Sequence, residues 1–415
     1  MRLRNLTVVA LKEEESTFSF PTETVREGAT SVLVPKLEAF VEEAWEYAPS
    51  KSPVFYNPVM GLNRDLAVLA SQAHQEMLRK KISLCEPLTG CGIRGVRLAR
   101  EVEGVDHILL NDINEEAVKL ARFNIQSNKL GNKVSVMNED ANLLLSRYAA
   151  PYRRFDYIDV DPFGSPVPYL DSAIRALRSQ GLIALTATDL APLCGVHPKA
   201  CVRKYGGRPL RTEYCHELAV RLLAGCLTRM AAKHDIGVRV VFSHGTDHYI
   251  RVYAVGHYGA RRADDSIQKL GYILHCFSCL HREALRGIFS ILEEECPECG
   301  SRINIAGPLW LDPILDEEFC DLMHRKLRGR KLENQKRVLK LLSSAKYEAE
   351  APPTYYVTDK ICDKLNLPIP PLKSLIKEVR GEGFQATPTH FSTRGIRTDA
   401  PATVVREAVT RLVDR

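Results

Sequence analysis

The sequence lacks any apolar segment of the kind that spans a membrane. No apolar run in its 415 residues approaches the roughly 20 residues that a membrane-spanning helix needs. Near the amino terminus, Glu13, Glu14 and Glu15 follow too soon for the apolar core of a secretory signal. Internal repeats and low-complexity tracts are absent as well. We therefore expect a cytoplasmic protein with no membrane partner.

A strong excess of one charge is also lacking. Lysine and arginine number 57 against 51 aspartates and glutamates, for a net charge of +6. An excess of this size permits a polyanionic partner without requiring one. With 45% hydrophobic residues, a chain of 415 residues can bury a large core, and its length indicates two or more domains.

Cysteine is plentiful, with twelve residues, and four of them form two close pairs. The segments Cys276–Cys279 (CFSC) and Cys296–Cys299 (CPEC) are C-x-x-C motifs separated by sixteen residues. This spacing predicts that all four thiolates bind one Zn²⁺, and a closed set of four indicates a structural role. Two redox-active pairs are the alternative. The remaining cysteines are scattered, which fits reduced thiols in a reducing compartment.

Strand-like and helix-like segments alternate from residue 81 to residue 188. Strands are predicted at Lys81–Cys85, His107–Asn111, Val134–Met137, Phe155–Val160 and Leu182–Thr188. Helices are predicted at Ile93–Glu101, Asn114–Asn128, Ala141–Ala149, Tyr169–Arg178 and, further on, Glu213–Lys233. With right-handed crossovers this is an α/β fold, a doubly wound and mostly parallel sheet. A strand pair at Val238–Phe242 and His248–Val255 would close it with an antiparallel hairpin, as is typical of a class I methyltransferase.

A smaller α+β domain is expected after this sheet, and it would contain the zinc site. We predict domains at 1–258, including an amino-terminal extension, and at 259–415, with Gly259–Gln268 as the linker. Thr358–Leu367 and Leu372–Arg380 read as two short helices, and a Gly- and Thr-rich stretch follows to Thr398. Helix, turn, helix and hairpin are typical of a winged-helix-like part.

A glycine-rich segment, Gly90–Gly95 (GCGIRG), directly follows the first predicted strand of the sheet. Its G-x-G-x-x-G pattern lets the backbone approach a ligand at a helix amino terminus. Asp112 ends the second strand, where an acid can accept ribose hydroxyls, and Asp140, followed by Ala141, lies where a carboxylate can meet an adenine amine. Each aspartate could instead be an ordinary helix cap. Three such sites at the ends of successive strands predict an adenosine pocket.

The hexapeptide DPFGSP begins at Asp161, after the fourth strand, and suits chemistry on a nucleobase amine. Such an amine is a poor nucleophile, so its N–H groups need acceptors: the Asp161 carboxylate and the Pro162 carbonyl are candidates, and Phe163 can stack on the ring. An ordinary turn is the alternative. An amine site beside the pocket favours S-adenosylmethionine over a dinucleotide. Arg64 could pair with the donor's carboxylate, or form a surface salt bridge with Asp65 or a neighbour.

Basic residues are concentrated between His324 and Lys346. They are Arg325, Lys326, Arg328, Arg330, Lys331, Lys336, Arg337 and Lys340, against Glu333 alone. On a helix they would form a phosphate-binding face or merely a solvated one, and the nearby zinc site favours nucleic acid. Arg203, Arg208 and Arg211 would add positive charge near the catalytic edge.

These features resemble the tRNA guanine-26 N2-dimethyltransferase family, and the compact length is similar to that of its archaeal members. The matching stretches are Phe55–Asp65, Gly90–Arg97, Leu110–Ile113, Asp161–Pro166, Thr186–Gly195, Val202–Tyr205 and Thr389–Ala400 (THFSTRGIRTDA). The resemblance implies transfer of methyl groups from S-adenosylmethionine to the 2-amino group of guanine 26 in tRNA, giving N2,N2-dimethylguanine. It implies that the donor is bound by Arg64, Arg94, Asp112, Asp140 and Ala141.

The same resemblance implies that Asp161 and Pro162 hold the guanine amine while Phe55 and Phe163 sandwich the base. It also implies a carboxyl-terminal half that grips tRNA, and no obligate protein partner is evident. Glu86 stands where the family commonly has an aspartate. Two alternatives remain: an amine methyltransferase for another RNA position or for DNA, and a non-catalytic tRNA-binding protein.

Overall fold

The protein is described by a computed structural model over residues 18–41, 48–246, 248–287 and 294–414. These residues divide into two compact units. The first contains the residues up to Asp159 together with Met323–Leu339, and the second contains Val160–Leu322 and the residues from Lys340 onward. The domain boundary predicted after residue 258 divides the chain differently and stays a prediction. The predicted amino-terminal extension lies largely outside the described residues.

Strands and helices alternate through much of the described chain. The strands are β1 (Thr22–Glu27), β2 (Thr30–Pro35), β3 (Ile82–Glu86), β4 (Val105–Asn111), β5 (Val134–Met137), β6 (Phe155–Val160), β7 (Leu177–Ala187), β8 (Ile236–Thr246), β9 (Tyr249–Tyr258), β10 (Leu270–His275), β11 (Arg282–Arg286), β12 (Asn304–Trp310), β13 (Tyr356–Val357), β14 (Ala386–Thr389) and β15 (Ser392–Thr398).

The helices lie between these strands. They are α1 (Ala48–Lys51), α2 (Gly61–Leu78), α3 (Ile93–Glu101), α4 (Glu115–Ser127), α5 (Ala141–Arg147), α6 (Leu170–Ala176), α7 (Leu190–Leu193), α8 (Pro198–Tyr205), α9 (Cys215–Ala232), α10 (Ala260–Ile267), α11 (Glu317–Leu327), α12 (Gln335–Glu348), α13 (Thr358–Leu365), α14 (Leu372–Gly381) and α15 (Ala402–Val413). Apolar runs predicted seven of these fifteen strands, β3 to β9, because buried strands need such runs.

Seven strands form one sheet in the order β5-β4-β3-β6-β7-β9-β8. β3 runs parallel to both β4 and β6, and β4 runs parallel to β5. β9 is antiparallel to β7 and to β8. The predicted doubly wound, mostly parallel sheet with a terminal antiparallel hairpin is therefore confirmed. Because β3 has β4 on one side and β6 on the other, the strand order switches at β3, where ligands bind in such sheets.

The rest of the second unit contains two three-stranded sheets. Their strand orders are β11-β10-β12 and β13-β15-β14. The first surrounds the cysteine motifs with a thin core, in which Leu274 and Ile303 pack with Cys276 and Cys296. The second packs with α13, α14 and α15 around a larger apolar cluster. The predicted α+β character and the order helix, helix, hairpin are confirmed.

The segment predicted as the linker, Gly259–Gln268, contains the helix α10, and its role between two domains stays a prediction. Its buried side chains include the short ones of Ala263 and Ser266. The Ser266 hydroxyl accepts a hydrogen bond from the Val238 N–H at 2.8 Å, which attaches the helix to β8. Short buried residues among Arg261, Arg262, Asp264 and Asp265 give little apolar periodicity, so the charged residues dominated the sequence pattern.

α9 joins the large sheet to the sheet of the cysteine motifs within the second unit. At Gly225, a Cβ would lie 3.1 Å from the Leu309 Cα, so the helix and β12 approach at backbone distance. The Arg221 guanidinium donates to the carbonyls of Trp310 and Asp312, both at 3.0 Å. The helix is therefore attached to β12 by close packing and by a buried cation.

The Glu217 carboxylate, also on α9, is the centre of a buried ion network. Glu217 is 0% exposed and Arg397 2%. The Arg397 guanidinium donates one hydrogen bond to each Glu217 oxygen, both at 2.9 Å, and Arg221 Nε donates at 2.8 Å. Burial acts to raise the pKa of Glu217, but the charges of Arg397 and Arg221 outweigh it and hold the pKa below its usual value.

A second buried carboxylate extends this network to α12. Glu348 Oε2 lies 3.2 Å from the Arg397 guanidinium and accepts the Thr389 hydroxyl at 2.7 Å. Its Oε1 accepts the backbone N–H of His390 at 2.7 Å and lies 2.9 Å from Nδ1 of the His390 ring. Burial would raise the pKa of Glu348, but the charge and hydrogen bond of His390, with the charge of Arg397, hold it at about 2. The hairpin β14–β15 is thus fixed by charge as well as by its apolar core.

We expect Glu217→Ala to lower the free energy of unfolding by about 3–5 kcal/mol, because it leaves the buried Arg221 guanidinium without a carboxylate and Arg397 with Glu348 alone. Urea denaturation followed by circular dichroism would measure the loss. Asp363→Ala is the matched control, since Asp363 pairs with Lys360 at 3.6 Å on the surface. Its effect should stay below about 1 kcal/mol. Equal effects of the two variants would contradict a structural role for the network.

Candidate functional site

A glycine turn follows β3 and leads into α3. Gly90 and Gly92 have φ angles of +55° and +78°, which favour glycine. A Cβ at Gly90 would lie 2.9 Å from the Phe55 carbonyl oxygen, and one at Gly95 would lie 2.3 Å from the Leu110 side chain. The predicted motif therefore makes a tight turn and close helix–strand packing, and it presents backbone N–H groups at the start of α3. Phe55, a predicted base-stacking residue, lies half-buried beside this turn.

Asp112 holds the glycine turn from the end of β4. Its Oδ2 accepts the Gly90 N–H at 2.8 Å, and its Oδ1 accepts the Asn114 N–H at 3.0 Å. The structure therefore brings Asp112 and the glycine turn together at the carboxyl ends of two parallel strands. Its contact with a ribose stays a prediction, and the remaining lone pairs of the carboxylate are suited to it.

Asp140 is the N-cap of α5 and an exposed residue. Its Oδ1 accepts the Leu143 N–H at 3.0 Å, so the helix-capping alternative describes a contact that the structure contains. Ala141 is buried as the first residue of the helix. A capping carboxylate keeps lone pairs for a second partner, and the proposed adenine contact of Asp140 is therefore compatible with the cap.

Arg64 and Arg94 are buried and paired. Arg64 donates to both oxygens of Glu27, at 2.7 and 2.5 Å, and the surface salt bridge considered for it is wrong. Arg94 Nη1 donates to the Asn63 side chain at 2.7 Å, and its Nε lies 3.3 Å from Glu86. Burial opposes ionisation of Arg64, but the charge and hydrogen bond of Glu27 outweigh it and raise the pKa of Arg64. Arg64 is therefore fixed near the start of α2, and Arg94 near the start of α3.

The DPFGSP segment lies in the second unit, directly after β6. Asp161 is partly exposed, Pro162 is buried and the Phe163 ring is 66% exposed. Gly164, with φ of +75°, exchanges two hydrogen bonds with Thr188: its N–H donates to the hydroxyl at 2.8 Å and its carbonyl accepts the Thr188 N–H at 2.9 Å. The turn is therefore fixed by its glycine, while an aromatic face points to solvent.

Two supports of this segment were not predicted as site residues. They are Thr188, described above, and Tyr205, whose hydroxyl contacts both Asp189 and Ser165. Burial is the main cause that raises the pKa of Tyr205, so the phenol stays protonated. Both residues lie in stretches that resemble the dimethyltransferase family, and this is the signal that could have identified them. Glu27, the partner of Arg64, lies in a hairpin that carried no such signal.

The four cysteines predicted as zinc ligands come together as a four-cysteine cluster. The sulfur atoms of Cys276, Cys279, Cys296 and Cys299 lie within 4.8 Å of one another, and two of the Sγ–Sγ distances are 3.5 Å. Four thiolates at these separations fit a tetrahedral Zn²⁺. His281, which flanks the first motif, hydrogen-bonds to Glu298 at 3.1 Å instead. The predicted cluster is therefore confirmed as a group able to hold a metal ion.

The basic stretch from His324 onward forms the end of α11 and the start of α12, with a turn between them, instead of one helix. Within the first unit, Arg330 donates to the Glu101 carbonyl at 2.8 Å and Lys326 pairs with Glu76 at 2.5 Å. These two side chains are used inside the protein. The exposed members of the stretch are Arg325, Arg328, Lys331, Lys336, Arg337 and Lys340.

Two curated proteins named tRNA (guanine(26)-N(2))-dimethyltransferase are similar to this chain over nearly its whole length. The one from Methanothermobacter thermautotrophicus is 41% identical over 390 residues, which cover 94% of this chain and 99% of the relative. The one from Methanobrevibacter smithii is 39% identical over 393 residues, covering 95% and 98%.

A solved structure, Trm1 from Pyrococcus horikoshii in complex with S-adenosyl-L-methionine, is similar to this one. The TM-score is 0.82 at 36% identity, and the match covers 93% of this chain and 99% of that one. Among the described residues, no helix is long and apolar enough to cross a membrane. The family model described as N2,N2-dimethylguanosine tRNA methyltransferase matches residues 28–410. The resemblance drawn from the sequence is therefore confirmed, and the chain belongs to the N2,N2-dimethylguanosine tRNA methyltransferase family.

Proposed function

We propose that this chain transfers methyl groups from S-adenosylmethionine to the exocyclic 2-amino group of guanine 26 in tRNA, giving N2,N2-dimethylguanine. One observation carries the chemistry: Asp161 directly follows β6, a strand that pairs in parallel with β3, which leads into the glycine turn. The carboxyl ends of adjacent parallel strands are where such sheets bind ligands. Family membership and the names of the relatives support the substrate.

The donor would be held by the residues that were predicted for it. They are Arg64, Arg94, Asp112, Asp140 and Ala141. The fit rests on the turn that Gly90 and Gly92 make with positive φ, and on the Asp112 carboxylate fixed beside it. When bound, S-adenosylmethionine supplies a methyl group activated by its sulfonium. Because Arg64 and Arg94 are held by buried partners, their side chains would already be in position when the donor binds.

The guanine amine would be held by the DPFGSP segment. The Asp161 carboxylate and the Pro162 carbonyl would accept hydrogen bonds from its two N–H groups, which frees the nitrogen lone pair for attack. The Asp161 carboxylate would then take the proton that the nitrogen loses when it gains the methyl group. Phe163 and Phe55 would stack on the two faces of the base. No covalent intermediate with the protein is needed, and a second transfer after cofactor exchange would give the dimethylated product.

The tRNA would have to release base 26 from its stack, at a cost of a few kcal/mol. Phosphate contacts offset such a cost, and the exposed cations of the basic stretch are suited to them. We further propose that the enzyme works in the cytoplasm and without an obligate protein partner.

Incubation of the purified protein with S-adenosylmethionine and an unmodified tRNA transcript tests the proposal. We expect mass spectrometry of the digested RNA to identify N2,N2-dimethylguanosine at position 26. A transcript with adenosine at position 26 is the matched control and should stay unmethylated. Methylation of a different base would refute the proposed substrate, and bound donor without any methylated nucleoside would refute the proposed activity.

We expect Asp161→Asn to lower kcat about 100- to 10 000-fold, because the amide is a weaker acceptor and its NH₂ group opposes the amine. Single-turnover methylation assays would measure the loss, and binding of donor and tRNA should be retained. Asp171→Asn is the control, since Asp171 pairs with His234 at 2.8 Å on the surface of the same unit. Near-normal turnover by the Asp161 variant would show that Asp161 is not a catalytic residue.

We expect Cys276→Ser to release about one Zn²⁺ per chain and to lower the melting temperature, because the metal supports a thin core. Plasma mass spectrometry and thermal unfolding would measure the two effects. Cys362→Ser removes a thiol outside the cluster and should leave the zinc content unchanged. An unaltered metal content in the Cys276 variant would show that the cluster does not bind zinc.

A further inference from the structure

A second group of soft ligands lies outside the four-cysteine cluster, also in the second unit. Cys194 directly follows α7, while Cys215 and His216 are the first two residues of α9. One ligand atom from each of the three residues lies within 4.8 Å of the other two. The two thiols are also in hydrogen-bond contact with each other. The end of α7 and the start of α9 therefore bring three metal-ligand side chains together at one point.

We propose that Cys194, Cys215 and His216 form a second binding site for a soft divalent cation of the Zn²⁺ class. Thiolate and imidazole are the ligands that Zn²⁺ selects, and tetrahedral bonds of 2.0–2.3 Å place such ligand atoms about 3.5–4 Å apart. The three ligand atoms lie within 4.8 Å of one another, so small side-chain rotations bring them to that geometry. Three protein ligands leave one coordination position, which a water molecule fills.

The burial of the three ligands gives this site a solvent side. Cys194 is buried, Cys215 is partly exposed and His216 is exposed. The cation therefore reaches the site from solvent and exchanges there more readily than in the closed four-cysteine cluster. We therefore expect a chelator to remove the cation from the open, three-ligand site more easily than from the closed, four-thiolate site.

The ion would connect two parts of the protein that matter to the proposed reaction. The segment that ends at Cys194 begins at Thr188, which makes both hydrogen bonds to Gly164 of the DPFGSP segment. On the other side, Cys215 and His216 immediately precede Glu217, the centre of the buried ion network. A metal ion at this site would therefore hold the segment that contains Thr188, and with it the DPFGSP segment, against α9. Metal binding itself does not depend on the proposed reaction.

Metal counting tests the proposal with the full chain, kept reduced by a non-thiol reductant and dialysed first against ZnSO₄ and then against metal-free buffer. We expect about two zinc ions per chain, one at each site. Cys215→Ser and His216→Ala should each retain about one, and Cys215→Ser combined with Cys276→Ser should retain none. Cys201→Ser, which removes a buried thiol from the α8 segment, is the matched control and should retain two.

Two further measurements keep the test decisive. His216 is exposed, so His216→Ala gives the same count if Cys215→Ser fails to fold, and circular dichroism checks both. Co²⁺ added to the Cys276→Ser chain should produce a thiolate-to-cobalt absorption band that the additional Cys215→Ser change removes. Three results would each overturn the proposal. They are a count of one zinc per wild-type chain, a zinc count in His216→Ala equal to that of the wild type, and a Cys194–Cys215 disulfide that persists in the presence of the reductant.

Discussion

The second unit depends on the buried ion pairs that the Glu217 carboxylate forms with Arg221 and Arg397. This carboxylate is fully buried, and a buried charge is tolerated only where partners replace the lost water. Arg221 from its own helix and Arg397 from β15 supply those partners, and the Thr354 N–H donates to it at 2.9 Å. Because Arg221 also donates to the carbonyls of Trp310, the last residue of β12, and of Asp312, one carboxylate fixes α9, the carboxyl-terminal hairpin and the sheet of the cysteine motifs.

The first unit uses the same principle beside the proposed donor pocket. Glu27 in the β1–β2 hairpin receives Arg64, and Asp65 receives Arg97 at 2.8 Å. Rigid, pre-paired charges cost little reorganisation when a ligand arrives, which is what an enzyme needs for electrostatic stabilisation. The DPFGSP segment is held differently, by backbone hydrogen bonds to Thr188, and this leaves its aromatic side chain exposed.

Groups of metal-ligand side chains lie at two places in the second unit. The sheet of β10, β11 and β12 has a thin core, and the four-cysteine cluster compensates for it. The proposed site at Cys194 directly follows α7, a four-residue helix in which Pro192 and Leu193 are buried, and lies between the amine-binding segment and α9. At the cysteine motifs, a few strong metal bonds would replace a large buried area.

The sequence by itself determined the local structure and the chemistry of the motifs. β5, β6 and α3 begin and end at the predicted residues because apolar periodicity is local, and the spacing of two C-x-x-C motifs was sufficient to predict the metal cluster. Only the tertiary structure decided which charges meet. Glu217 and Arg397 are 180 residues apart, and Glu27 was not predicted to pair with Arg64. The reason is physical: periodicity records which side of an element is buried, whereas the partner of a charged group depends on which distant segments fold to within a few ångströms of it.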